Sequence, residues 1–239
     1  MDMPIKKYSD SERGVNEAGW LSSRFSFSFA NYYNPNRMGF GKLRVLNDDV
    51  IAPGNGFGMH PHANMEIITV VTGGVLEHKD SEGNGGLLYP NDVQVMSAGS
   101  GITHSEWNGS DVEPLALFQL WIETNSPNAA PRYDQKTFAF PSNVLVPVAS
   151  GLGDADALPI YQDARVLVGT YAAESAGSYT LTAGQGLFIL VIEGAFTVGT
   201  VELGRRDAVE ISAVDSVELR TITGGRLLVI EVPVEESFK

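Results

Sequence analysis

Short apolar runs recur along the chain, each rich in Val, Ile, Leu, Phe or Thr and followed by Gly, Pro, Asn or Asp. Turn residues at intervals of about eight to twelve positions are typical of many short strands in a sandwich or barrel. Long runs with the period of an amphipathic helix are scarce. We therefore predict an all-β fold, with strands at residues 43–48, 65–73, 92–98, 114–123, 165–171, 187–194, 208–213 and 226–232.

A change in composition divides the chain into two parts. Residues 124–164 include the segments TNSPNAAPRYDQ and VASGLGDADALP, whose Pro, Gly, Asn and Asp residues are expected of a connection. We place a domain boundary near residue 140, which gives one domain at residues 1–140 and a second at residues 141–239.

The two parts share a pattern of strand, glycine turn, Asp turn and second strand. EIITVVTGGV followed by LYPNDVQVMSAG resembles LFILVIEGAF followed by LGRRDAVEISAV. This alignment places three histidines of the first part opposite apolar residues of the second, namely His60 opposite Leu181, His62 opposite Ala183 and His104 opposite Leu219. We predict two related β-domains, of which the second is degenerate and lacks metal ligands.

Two pairs of possible metal ligands stand two residues apart in the first part, His60 with His62 and His104 with Glu106. Alternate residues of a strand share a face and lie about 6.6 Å apart along it, at a rise of roughly 3.3 Å per residue. If the two pairs lie on neighbouring strands, the four side chains converge inside a barrel, and imidazole nitrogens can approach an ion to about 2.0–2.1 Å. One His-x-His pair alone has little specificity, but three of the four histidines fall in these pairs. The sequence therefore predicts one metal site per chain.

Charge and composition exclude several classes of function. The formal net charge of -13 would repel nucleic-acid phosphates and anionic lipid surfaces, so we expect no direct binding to nucleic acid or membrane. The sequence has no cysteine, which excludes a disulfide framework and thiolate ligands, and no apolar segment approaches the length of a membrane span. We expect a cytoplasmic protein and a monomer.

The spacing around these ligands resembles the cupin superfamily. Gly54, five residues, His60-x-His62, three residues, Glu66, six residues and Gly73 match the first cupin motif, whereas the second motif is met only in part. More specifically, FSFSFANYYNP, MGFGKLRVLNDD, HPHANMEIITVV, HKDSEGN, VQVMSAGSGITHSE and QLWIETN resemble the pirin family. Pirins are bicupins, with two β-barrel domains of which the N-terminal one holds a metal.

The pirin resemblance implies His60, His62, His104 and Glu106 as metal ligands, whereas the general cupin motif would nominate Glu66 instead. We favour Glu106, because an i+2 neighbour of His104 shares its face. We expect Glu66 to accept a hydrogen bond that orients a histidine. His78, the remaining histidine, is expected to make a structural hydrogen bond beside a turn. Iron is the first choice of metal by analogy, and Mn, Ni, Cu and Zn remain open.

The resemblance also implies an activity of the quercetin 2,3-dioxygenase type, in which O2 opens a flavonol ring and carbon monoxide is released. Glu106 would then be the catalytic base that takes the substrate hydroxyl proton. Apolar and aromatic side chains are candidates to line a flat pocket: Phe57, Met59, Met96, Trp107, Phe118 and Trp121. Two alternatives stay open, namely a non-enzymatic metal-binding regulator that acts through a protein partner, and a cupin enzyme with an unrelated small-molecule substrate.

Overall fold

The computed structural model describes residues 5–234, whose regular elements are β-strands apart from one short 3-10 helix. The first twelve strands, with a 3-10 helix at Asp10–Glu12, are β1 (Ile5–Tyr8), β2 (Gly14–Glu17), β3 (Leu21–Phe25), β4 (Leu43–Ile51), β5 (Gly56–His62), β6 (Met65–Gly73), β7 (Leu76–Asp80), β8 (Gly85–Leu88), β9 (Asp92–Ser97), β10 (Ile102–Asn108), β11 (Leu115–Glu123) and β12 (Arg132–Thr137). No helix among these residues could cross a membrane.

The remaining strands form the second part of the molecule. They are β13 (Val144–Ser150), β14 (Leu158–Pro159), β15 (Arg165–Tyr171), β16 (Ser175–Thr180), β17 (Gln185–Gly194), β18 (Phe196–Val198), β19 (Val201–Leu203), β20 (Ala208–Ile211), β21 (Ser216–Thr221) and β22 (Gly225–Pro233). All eight strands predicted from the apolar runs are present, with bounds that differ by a few residues.

Each part is built from one seven-stranded and one four-stranded sheet. In the first part the strand orders are β12-β9-β6-β11-β4-β3-β2 and β5-β10-β7-β8. In the second part they are β1-β20-β17-β22-β15-β13-β14 and β16-β21-β18-β19. The predicted all-β bicupin architecture is thereby confirmed. The exact domain boundary near residue 140 stays a prediction, and β1, although first in the chain, pairs with β20 of the second part.

Alternation along the strands decides which side chains meet. On β6, Ile68 and Val70 face the second part of the molecule, whereas Ile67 and Val71 belong to separate apolar clusters within the first part. The seven-stranded sheets of the two parts therefore share one large core. It includes Phe118 of β11 and Phe188 of β17, both fully buried. This shared core fixes the outer face of the first barrel, whereas the inner face carries the smaller apolar clusters together with polar side chains.

Substitution of Phe188 tests the importance of the shared core. The ring of Phe188 lies 5.2 Å from that of Phe27 and 6.3 Å from that of Phe40. We expect Phe188→Ala to lower the free energy of unfolding by about 3–5 kcal/mol, because it opens a cavity between two rigid sheets. Chemical denaturation measures this loss. The control Ile222→Ala, at a side chain that is 82% exposed, should change stability by less than about 0.5 kcal/mol. A loss below about 1 kcal/mol for Phe188→Ala would contradict the shared core.

Candidate metal centre

Strands β5 and β10 bring three histidines together. The two strands are antiparallel, with His60 opposite His104 and His62 opposite Ile102, and the register shifts between His104 and Glu106. The ring centroids lie 4.4 Å apart for His60 and His104, and 4.9 Å apart for His62 and each of the other two. Their ligand atoms all lie within 4.8 Å of one another. The histidines predicted from the sequence thus form one cluster at the mouth of the first barrel.

The protonation state of this cluster suits a metal ion. Burial lowers the pKa of His62 to about 4 and that of His104 to about 3, and repulsion between the neighbouring imidazoles adds to both shifts. Neutral imidazole is the form that binds metals. His104 is fully buried, yet neither ring nitrogen has a hydrogen-bond partner within residues 5–234. Burial of a ring nitrogen without a hydrogen-bond partner costs free energy, and a bound metal ion would supply a partner for one of the two. The residues therefore fit a metal site.

The ring of His60 is held by the backbone of its own strand. Its Nδ1 lies 2.8 Å from the carbonyl oxygen of Gly58. With the proton on Nδ1, this nitrogen donates to the carbonyl and Nε2 remains free to bind a metal. Beside the cluster, Trp121 lies edge-on to His62 at a centroid distance of 4.8 Å. Backbone and aromatic contacts therefore orient the partly exposed histidines.

Glu106 lies deeper in the barrel than His60 and His62. Its Oε1 accepts hydrogen bonds from Thr69 Oγ1 at 3.2 Å and Gln94 Nε2 at 2.7 Å, and its Oε2 accepts one from Gln119 Nε2 at 2.6 Å. A carboxylate oxygen of Glu106 lies within 4.8 Å of ligand nitrogens of His104 and His78. The group of ligands that contains His60 and His62 does not include Glu106. Because His104 belongs to both clusters, Glu106 stands next to the three-histidine site, and its role as a ligand stays a prediction.

Two aromatic residues fix the glutamines that hold Glu106. Tyr133 donates its hydroxyl to Gln94 Oε1 at 3.1 Å, and Trp121 donates its indole N–H to Gln119 Oε1 at 3.1 Å. With the amide oxygens occupied in this way, the amide nitrogens must point towards Glu106. The carboxylate is therefore held by side chains that are themselves oriented.

The expectation that Glu66 orients a histidine is wrong. On β6, Glu66 lies on the face of Ile68, opposite to the face of Thr69, which contacts Glu106. Its carboxylate instead accepts a hydrogen bond from Ser97 Oγ at 2.6 Å. Burial raises the pKa of Glu66 above its usual value. The wall of the barrel therefore separates Glu66 from the histidines.

His78 belongs to the interior of the site, which the sequence reasoning missed. It is fully buried and stacks on Tyr133 at a centroid distance of 4.3 Å. In the part of the chain that the structure describes, the expected structural hydrogen bond is absent: neither ring nitrogen has a hydrogen-bond partner, and Nε2 lies 3.6 Å from Asp80 Oδ2. The segment LEHKD could have indicated this position, because His78 and Asp80 stand two residues apart in it, as do His60 with His62 and His104 with Glu106.

The residues expected to line a pocket do not all face the interior of the first barrel. Phe57 lies near the cluster, with its ring 6.5 Å from that of His60, and Met59 is 58% exposed. Met96 packs inside the barrel against Ile67. The expectation for Phe118 is wrong, because its side chain faces the shared core between the two parts.

Trp107 and His62 border the solvent on two sides of the site. Trp107 is 40% exposed and lies opposite Gly56 of β5. His62 lines a surface pocket of about 640 Å³ together with Pro61, Ser81 and Thr103. His62 is therefore the residue of the cluster that borders this pocket.

An acidic residue not singled out in the sequence, Asp49 of β4, is also buried. Its Oδ1 has no hydrogen-bond partner among the residues that the structure describes, and its side chain is almost entirely excluded from solvent. Burial raises the pKa of Asp49 from 3.8 to about 7, and the negative charges of Asp48 and Glu106 contribute to the increase. Ionisation of Asp49 therefore costs stability in the folded protein.

Replacement of Asp49 should change how stability depends on pH. The unfolded carboxyl ionises near pH 4, whereas the folded one stays protonated until about pH 7, so the wild type loses stability as pH rises through this window. Asp49→Asn removes this loss, which is at most ~1.4 kcal/mol per unit of pKa shift. Chemical denaturation of metal-free protein at about pH 4.5 and about pH 7.5, near the two ends of this window, measures the change in the free energy of unfolding. The exposed control Asp215→Asn should retain the wild-type slope, and an unchanged slope in Asp49→Asn would contradict the interpretation.

Comparisons with known proteins agree with this architecture. The family model described as Pirin matches residues 8–122, and the model described as Quercetinase C-terminal cupin domain matches residues 147–232. A pirin-like protein of Caulobacter vibrioides is 42% identical, with 91% of this chain and 95% of the relative covered. A quercetin 2,3-dioxygenase of Escherichia coli is 37% identical, with 93% of this chain and 96% of the relative covered.

A solved structure gives the same relationship in three dimensions. The crystal structure of the bacterial pirin YhhW of Escherichia coli in complex with nickel(II) superposes with a TM-score of 0.92 at 37% sequence identity. The alignment covers 97% of this chain and 100% of that chain. The similarity therefore extends over both parts of the molecule.

Proposed function

This chain belongs to the pirin family of bicupins, and on that basis we propose that it is a metal-dependent dioxygenase of the quercetin 2,3-dioxygenase type. The observation that carries the proposal is the cluster of His60, His62 and His104, in which burial keeps His62 and His104 neutral, beside the buried carboxylate of Glu106. Relatives named as quercetin 2,3-dioxygenases support the substrate class. The reaction would open a flavonol ring with O2.

We assign one divalent metal ion to His60, His62, His104 and Glu106 in the domain at residues 1–140. The nickel(II) complex of the related pirin supports a divalent ion at such a site. Iron is our first choice by analogy, and the set of three imidazoles and one carboxylate suits Fe, Mn, Ni, Cu and Zn alike. The domain at residues 141–239 is assigned no ion, since Leu181, Ala183 and Leu219 stand at the corresponding positions.

A bound ion would supply a Lewis acid and a template for a substrate oxygen and O2. The protein would supply the positioning and the proton transfer. Glu106 is the proposed base for the 3-hydroxyl proton of the flavonol, and Gln94 and Gln119 keep its carboxylate in place. Trp121, edge-on to His62, offers an aromatic surface beside the cluster. The accessible side of His62 provides the path for the substrate.

Other expectations about partners are separate from this proposal. A monomer, the absence of nucleic-acid binding, a possible protein partner and the cytoplasmic location stay predictions. The acidic charge of -13 would favour a basic protein partner over a nucleic acid.

Oxygen uptake with quercetin tests the proposed reaction. We expect metal-loaded protein to consume O2 and release carbon monoxide, and His62→Ala to lose most of this activity, because the ion loses an imidazole of the three-histidine cluster. Glu106→Gln should lower turnover by about 10²–10⁴-fold, since it removes the proposed base. Elemental analysis of each variant separates loss of metal from loss of the base.

The chain provides a matched control for Glu106. Glu66→Gln makes the same chemical change at a buried carboxylate on the opposite face of the sheet wall. It should keep the metal content and turnover of the wild type. Absence of O2 consumption by the metal-loaded wild type, or equal losses in the two Gln variants, would contradict the proposal.

A further inference from the structure

The wall formed by β7 and β10 presents four ionisable side chains to the barrel interior. The antiparallel register places Glu106 opposite His78 and His104 opposite Asp80. Residues two apart on each strand share a face, so all four side chains lie on one side of this wall. Glu106, His104 and His78 are buried, and the side chains of His78 and Asp80 have no exposed area. This wall therefore carries more potential ligands than the three-histidine cluster uses.

Three of these side chains are close enough to share one ion. The ligand atoms of His78, His104 and Glu106 all lie within 4.8 Å of one another. Two imidazoles and one carboxylate form the donor set that many non-haem iron oxygenases use. This set lies on the inner side of His104, whereas His60 and His62 lie on its outer side.

Neither buried ring nitrogen of His78 has a hydrogen-bond partner among the described residues, and Nε2 lies 3.6 Å from Asp80 Oδ2. Asp80 is the nearest carboxylate, but its Oδ1 accepts hydrogen bonds from the backbone N–H groups of Glu82 and Asn84, and its Oδ2 accepts one from Asn84 Nδ2. Tyr133 offers His78 only the face of its ring, at an interplanar angle of 10°. A buried imidazole without any partner is costly, and a ligand that binds it removes this cost.

We propose that His78, His104 and Glu106 form an inner metal-binding position. An ion at this position keeps His104 and Glu106 and exchanges His60 and His62 for His78. Because the two positions share ligands, the chain binds one ion at a time, at either the outer or the inner position. This inference concerns metal binding alone and does not depend on which reaction the protein catalyses.

Because the sequence contains four histidines, the inner position can be tested by replacing the two that it does not use. The double variant His60→Ala, His62→Ala contains only His78 and His104 as imidazole ligands, provided that the protein carries no histidine tag. One equivalent of Cu(II) serves as the probe, because copper binds such sites most tightly among the first-row divalent metals. Electron spin echo envelope modulation detects the remote nitrogen of each copper-bound imidazole.

The proposal predicts one copper per chain with two bound imidazoles in the double variant. Copper bound to a single imidazole, or loss of copper binding from a variant with wild-type circular dichroism, would overturn it. The test does not measure turnover, so failure of the proposed dioxygenase activity leaves this result unaffected. An active wild type combined with no copper in the double variant would reject the inner position alone.

A third substitution tests the contribution of His78. In the double variant, His78→Gln should weaken copper binding by on the order of tenfold or more and reduce the bound imidazoles to one. The matched control is Ser105→Ala in the same double variant, since Ser105 is buried on β10 between His104 and Glu106 but alternates to the other face. Equal copper affinity with and without His78 would also overturn the proposal. If His78→Gln does not fold, the imidazole count in the double variant still decides the outcome.

Discussion

Alternation of side chains on three adjoining antiparallel strands is the constraint on which the site depends. Strands β5, β10 and β7 are hydrogen-bonded neighbours, and their pairing sets His60 opposite His104 and Glu106 opposite His78. A shift of one residue in either pairing would turn the side chains of one strand to the face opposite those of its neighbour. The chemistry of the barrel therefore rests on strand register, which the backbone hydrogen bonds hold.

The shared core makes this register costly to change. Strands β6, β9 and β11 present apolar side chains such as Ile68, Val95 and Leu120 to the second part of the molecule, and polar ones such as Thr69, Gln94 and Gln119 to the interior. A slip would bury the polar set in the shared core without partners. Packing between the two parts thus protects the hydrogen bonds around Glu106, although the second part contributes no predicted ligand.

The sequence predicted the strands best where an unbroken run of apolar residues coincides with a strand of the structure. Dense apolar runs such as those of β6 and β11 predicted both the strands and the all-β fold. Strands β5, β7 and β10 were not among the predicted ones, because Gly, His, Pro and charged residues interrupt their apolar pattern. Yet the spacing of His60 and His62 still predicted their proximity. Glu66 was assigned to the wrong partner and His78 was left out, because the face of a residue depends on strand pairing that motif spacing does not encode.

The position of β1 matters when the second part is produced as a separate fragment, because β1 pairs with β20. Strand β20 would form the edge of its sheet if β1 did not pair with it, and Lys7 and Tyr8 of β1 also bind Asp207 and Glu210. A fragment that starts after residue 140 would lack this covering strand. It would present unpaired N–H and C=O groups that favour aggregation. The amino-terminal segment thus covers an edge of the second barrel that would otherwise be open to pairing, and a cut between the two parts would separate this segment from the sheet that it completes.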